Sequence, residues 1–115
     1  MTTAVLYHNP RCSKSREAKA LLDDKGVDYQ VRLYLNDPLS VGELKALVNQ
    51  LGIPAADVLR RKEADYKTAG LNNSSSEQQI LDAIARYPKL LERPILVTEK
   101  GARIGRPPEA IREIL

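Results

Sequence analysis

Cys12 is the one cysteine in a chain of 115 residues, and it stands where a thiol can become a thiolate. It follows an Asn9-Pro10 break and precedes a run that takes up helical spacing from about Ser13. The open amides and dipole of a helix N-terminus favour negative charge at that spot. Arg11, Lys14 and Arg16 add positive charge around it. Both effects favour the thiolate, which is the nucleophilic form. A lone cysteine is more often a small buried hydrophobe, but polar and basic neighbours on both sides favour the reactive reading. Three residues on, Ser15 completes a Cys-x-x-Ser motif where a dithiol enzyme would carry a second cysteine. Turnover through an adduct on Cys12 therefore needs a thiol from outside, such as glutathione or a partner protein. Ser15 reads equally well as a helix-start residue bonded to backbone. His8, four residues before Cys12, can take the thiol proton or hydrogen-bond the loop. It can also be a satisfied structural histidine, and spacing does not choose between these.

Three arginines form a second set. Arg60 reads as the end of a middle helix, Arg93 precedes Pro94 at the entry to a strand, and Arg106 precedes Pro107 at the entry to the last helix. Planar guanidinium groups bind tetrahedral oxyanions through paired hydrogen bonds. Taken singly, each is first a solvated surface charge. Arg93-Pro94 stands apart, because an X-Pro bond before a strand is a candidate cis bond.

These residues need elements to position them. Ala4–Tyr7 reads as a buried strand, Ser13–Lys25 as a helix with Ala18, Leu21 and Leu22 on one face, and Gly26 as its C′ residue. Asp28–Tyr34 reads as a second strand, with Tyr29, Val31 and Leu33 alternating against Gln30 and Arg32. This strand–helix–strand run fits a right-handed parallel crossover. A helical block follows. Ser40 and Glu43 form a capping box before Val41, Leu44, Leu47, Val48 and Leu51, Pro54 opens a short helix ending near Arg60-Arg61, and Glu77–Tyr87 is a further helix. Ile95–Thr98 and Ala102–Ile104 are strands joined by a three-residue turn, with Gly101 left-handed. A last helix starts at Pro107-Pro108 and runs to Leu115. The order βαβ, helical block, ββα predicts an α/β thioredoxin-like fold, with a four-stranded mixed sheet and a helical insertion between its two halves. Residues 1–115 read as one domain. In that layout the Arg93-Pro94 loop approaches the Cys12 loop, at the strand-end crevice where α/β sheets bind ligands.

Bulk properties narrow the function. Apolar residues are 43% and charged residues 29%, with no Phe or Trp and a net charge of +3. That composition suits a modest aliphatic core. Basic residues are interleaved with acidic ones and there is little to stack on bases, which argues against nucleic acid. No run is long enough to span a membrane, and Met1–Tyr7 lacks the basic start and long apolar stretch of a signal peptide. One cysteine excludes an internal disulfide and a cysteine-rich zinc site, and a free thiol persists in a reducing cytoplasm, the compartment expected here. A monomer with no metal and no bound cofactor is also expected.

The segment Tyr7-His8-Asn9-Pro10-Arg11-Cys12-Ser13-Lys14-Ser15-Arg16 resembles the active-site signature of the glutaredoxin-coupled ArsC arsenate reductases. Glu92–Val97 and Arg103–Pro108 resemble that family's C-terminal signature, and Leu51–Ile53 with Leu59–Lys62 its middle segment. The likeness runs in order along nearly the whole chain and is strongest with the short subgroup called YfgD. It implies that Cys12 attacks arsenate, that glutathione displaces the adduct and glutaredoxin completes reduction to arsenite. It also implies that Arg60, Arg93 and Arg106 hold the oxyanion, that His8 assists the thiolate with Ser15 and Arg16 in support, and that Pro94 is a cis-proline. Ser13-Lys14 departs from the Gly-Thr of the well-studied reductases. The phosphatase-like reductases place Arg six positions after the cysteine, where this chain has Ala18, and are rejected. Two alternatives remain. Spx-like regulators share the fold and bind RNA polymerase, but their switch is Cys-x-x-Cys. A monothiol glutathione-dependent oxidoreductase would use Cys12 and leave the arginines unexplained.

Overall fold

A computed structural model describes residues 4–115. Residues 1–3, part of the segment read for a signal peptide, lie outside the described residues. The chain divides into two compact units, one made of 1–37 with 93–115 and the other of 38–92.

The first unit is built on a four-stranded sheet in the order β2-β1-β3-β4. Its strands are β1 (Ala4–Tyr7), β2 (Tyr29–Arg32), β3 (Ile95–Thr98) and β4 (Gly101–Ile104). β1 and β2 are parallel, with Ala4 opposite Tyr29 and Tyr7 opposite Arg32. β3 runs antiparallel to both β1 and β4, so the sheet is mixed, as the thioredoxin-like reading requires. The crossover between β1 and β2 is α1 (Ser13–Asp24). α1 ends in a Schellman motif: Gly26 has φ +66, its amide bonds Asp23 O, and the Val27 amide bonds Leu22 O. Ala4, Leu6, Ala18, Leu22, Leu96, Ile111 and Ile114 form the core cluster of this unit. Burying a Leu or Ile side chain contributes about 1.5–3 kcal/mol, so this cluster fixes the strand ends from which the reactive loop springs.

The second unit is helical. It contains α2 (Val41–Leu51), a 3₁₀ turn (Ala55–Val58), α3 (Ala64–Thr68), α4 (Glu77–Arg86) and a second 3₁₀ turn (Pro88–Leu90). The Ser40/Glu43 capping box is formed, with Ser40 Oγ accepting from Glu43 N at 3.2 Å and Ser40 N donating to Glu43 Oε1 at 3.0 Å. α4 carries a second box, Ser76 with Gln79. Among the described residues, no helix is long and apolar enough to cross a membrane.

Several expectations are corrected. β2 stops at Arg32, and Val31 and Leu33 are each 40% exposed. Its partner β1 ends at Tyr7, and only the His8 amide, bonding Arg32 O, extends the ladder. Pro54 is an N-cap, and the turn after it closes at Val58. Arg60 therefore does not end a helix; it follows a bridge between Leu59 and Leu91, and its amide bonds Leu90 O at 2.8 Å. α3 was not expected, because it buries none of its residues and has no apolar stripe. The hairpin loop has two residues, not three: Gly101 opens β4 opposite Thr98 with φ +137, outside the left-handed helical well. The final helix, Pro108–Ile114, is 3₁₀. Its three-residue turn stacks Pro108, Ile111 and Ile114 on the buried face.

Candidate active site

Cys12 is the N-cap of α1, partly exposed, with extended φ and ψ of −92° and 124°. A tight turn places it there. The Cys12 amide bonds Asn9 O at 3.0 Å, and Asn9 Oδ1 accepts from the Arg11 amide at 3.0 Å. The Asn-Pro dipeptide was the signal for this turn, although the part of the Asn9 side chain was missed. Arg16, expected to act through its charge, closes the turn from the other side. Its amide bonds Cys12 O and its Nη1 donates to Pro10 O, each at 3.0 Å.

The Cys12 thiol titrates below its ordinary range. Burial pushes it up, but the Ser15 amide, the charge and hydrogen bond of Arg93, and the Lys14 amide together outweigh that. The amide part was read from the sequence. The positive charge was assigned to Arg11, Lys14 and Arg16, its neighbours in the chain, whereas Arg93, distant in sequence, supplies it.

Arg93 and Arg106 both face the sulfur. Arg106 Nη2 lies 3.7 Å from Cys12 Sγ, and Arg106 Nε donates to the Arg93 carbonyl at 2.8 Å. Arg93-Pro94 is cis, as expected, and Arg106-Pro107 is also cis, which was not. Gly105 joins the two segments: its amide bonds Pro94 O at 2.8 Å, and a Cβ on it would lie 2.7 Å from Pro94 Cγ. The need for glycine there was also missed; it arises from a contact between distant parts of the chain.

Among the described residues, two buried side-chain nitrogens have no hydrogen-bond partner, Arg93 Nε and Arg60 Nη1. Unpaired buried donors are costly, and both belong to arginines singled out as anion ligands. Arg60 lies in the helical unit, where its Nη2 is 3.4 Å from Glu63 Oε1.

His8 and Ser15 are buried together, 5% and 0% exposed. His8 Nδ1 is 2.7 Å from Ser15 Oγ, which also accepts from the Asn9 amide at 3.0 Å. Burial, then the charges of Lys19 and Arg16, hold the imidazole below its usual pKa. The first unit thus brings together Cys12, His8, Ser15, Arg16, Arg93, Pro94 and Arg106. Among the described residues no cluster of His, Cys, Asp or Glu could hold a metal ion. The assembly can present a thiolate and two guanidinium groups to one small anion.

A family model described as the ArsC family matches residues 7–114. The protein YfgD of Escherichia coli (strain K12) is 48% identical over 112 residues, covering 96% of this chain and 94% of its own. A Haemophilus influenzae protein named arsenate reductase is 43% identical over 115 residues, covering 98% and 99% of the two chains. The solved structure of an arsenate reductase from Vibrio cholerae is 47% identical, with a TM-score of 0.94 over 99% of this chain and 98% of that one.

Proposed function

Because the chain belongs to the ArsC family, we propose that it reduces arsenate to arsenite, with Cys12 as nucleophile and Arg93, Arg106 and Arg60 as ligands of the oxyanion. One observation carries this reading: a thiol with a lowered pKa is faced by two arginines, and one of them, Arg93, has a buried donor without a partner. Thiolate and arsenate are both anions and repel. Guanidinium groups beside the sulfur lower that barrier and orient the tetrahedral centre for attack.

In the first step the Cys12 sulfur forms a bond to arsenic, one As–O bond breaks, and the departing oxygen leaves as water. Arsenic is still pentavalent. Two electrons then come from two external thiols, which depart joined as a disulfide; arsenic leaves as arsenite and Cys12 returns to the thiol. The thiols must be external because Ser15 occupies the position of a resolving cysteine and no other cysteine exists. This reading assigns glutathione and glutaredoxin to that task, in a reducing cytoplasm.

The test is arsenite formation in a mixture of arsenate, glutathione, glutaredoxin, glutathione reductase and NADPH. Wild-type protein should produce arsenite with matching NADPH consumption, and Cys12→Ser should produce none. No arsenite from the wild-type protein sinks the assignment.

A further inference from the structure

The run Arg60-Arg61-Lys62-Glu63 sets three cations before one carboxylate, and the chain folds it back on itself. The Glu63 amide bonds Arg60 O at 3.4 Å, which closes a turn with Arg61 and Lys62 at its tip. Those two are exposed, whereas the side chains of Arg60 and Glu63, at the two ends of the turn, are largely buried, 21% and 29% exposed. Arg60 Nη2 lies 3.4 Å from Glu63 Oε1, and Arg60 Nη1 is buried without a partner. We propose that Glu63 is a positioning residue for Arg60: its carboxylate holds one end of the guanidinium, so that the other end, Nη1, is kept for the oxyanion. This rests on the reading above that Arg60 is a ligand of arsenate.

Three observations support the assignment. First, the main chain around the pair is pinned within the helical unit. The Arg60 amide bonds Leu90 O at 2.8 Å beside the Leu59–Leu91 bridge, and Glu63 O accepts the Tyr66 amide at 3.1 Å. What remains to be ordered is the arginine side chain, which carries much rotamer freedom unless something holds it. Second, Glu63 is the N-cap of α3, yet its side chain makes no cap bond. An N-cap side chain ordinarily serves the amides of its own helix; this one goes to Arg60. Third, a guanidinium presents its donors in one rigid plane, so fixing Nη2 also fixes Nη1. An unpaired buried donor is costly, and an oxyanion oxygen at Nη1 relieves that cost.

A carboxylate beside an anion ligand can also compete with the anion. Here it is Nη2 that lies against Glu63, and Nη1 has no partner to give up. Without Glu63 a half-buried guanidinium turns its charge towards water, and the donor is lost from its place. Removing the carboxylate therefore weakens anion binding.

The test is protection of Cys12. Arsenate bound at the sulfur blocks iodoacetamide. The arsenate concentration that halves the alkylation rate of the full-length chain, with no external thiol present, measures that binding. Arg60→Ala should raise it about 10–100-fold, the order for a lost charge-assisted partner, and Glu63→Ala about fivefold. In an Arg60→Ala background Glu63→Ala should lose nothing further, because Glu63 acts through Arg60. Without arsenate, Glu63→Ala should be alkylated at the wild-type rate, since the groups that lower the thiol pKa lie in the sheet unit.

Protection that Glu63→Ala leaves unchanged or tightens overturns the proposal. So does a Glu63 effect that persists without Arg60, an Arg60→Ala variant protected like wild type, or a wild-type protein that arsenate never protects. Altered alkylation of Glu63→Ala before arsenate is added overturns it too, because Glu63 then supports the fold at large. Should Glu63→Ala not fold, Glu63→Gln, which keeps the size and drops the charge, is read in its place: weaker protection is expected, and equal protection overturns the proposal. Arsenite formation is a separate readout. Arsenite from the wild-type protein with unaltered Glu63 variants sinks this proposal alone; altered protection with no arsenite sinks the reductase reading alone.

Discussion

The helix that begins at Cys12 and the two long helices of the other unit start in opposite ways. α2 and α4 close their own N-termini: Ser40 and Ser76 accept the third amide, and Glu43 and Gln79 reach back to the cap. Each also has a carboxylate in its first turn, Glu43 and Glu77. α1 has neither. Its N-cap is a cysteine without a side-chain cap bond, and its first turn holds no acidic residue. A self-capped helix spends its orphan amides on its own stability. α1 leaves them to a sulfur, and supports its start with the turn at Asn9 and the buried Ser15 instead. The chemistry of this protein therefore sits where ordinary helix stabilisation has been withheld.

Capping α1 should break that contrast most sharply. Cys12→Ser supplies the missing oxygen cap, so activity should fall at least about a thousandfold while stability to denaturant rises by about 0.5–1 kcal/mol. Turnover and urea unfolding on one preparation check both halves; a variant that is inactive and also less stable would show that α1 needs no cap. Next in size is Arg93→Gln, which removes a guanidinium proposed to hold the anion. KM for arsenate should rise by about 10–100-fold, with a higher alkylation midpoint for Cys12 because one of the groups lowering it is gone. An unchanged midpoint would mean that the amides and Arg106 hold the thiolate without Arg93.

At the self-capped helices the expected effects are on folding only. Ser40→Ala and Ser76→Ala should each cost about 1 kcal/mol and leave the pH profile of Cys12 alkylation where it was. The smallest effect concerns pH. His8, the one histidine in the chain, has a lowered folded pKa. Below the ordinary imidazole range the unfolded chain takes up a proton that the folded one refuses, so stability should fall as pH drops through that range. His8→Asn should flatten this dependence, which urea titrations at several pH values would show.

The local part of this contrast was legible in the sequence. Ser40 with Glu43, Gly26 after α1 and Cys12 at a helix start are short-range patterns, and each stands where it was read. The mixed sheet followed from the order of elements. Contacts between distant segments were less accessible. The charge on Cys12 comes from Arg93, and the seat of Arg106 is the Arg93 carbonyl, neither of which any spacing announces. The alternation of Tyr29, Val31 and Leu33 suggested a longer strand, but β2 ends at Arg32, where its partner β1 runs out, and Val31 and Leu33 are exposed. Arg60 was misplaced because a 3₁₀ turn closes after four residues, Ala55–Val58, without a capping signal.

The anchor of Arg106 has a consequence for what mutation can reach. Arg106 Nε is held by the main-chain carbonyl of Arg93, and every amino acid at position 93 retains that oxygen. Drift at 93 can therefore erase one guanidinium while the other keeps its tether. Changes at Gly105, where a side chain would meet Pro94, disturb the support of both. Two residues that act on one sulfur are in this way separable one at a time, and share a single point of common failure that carries no charge at all.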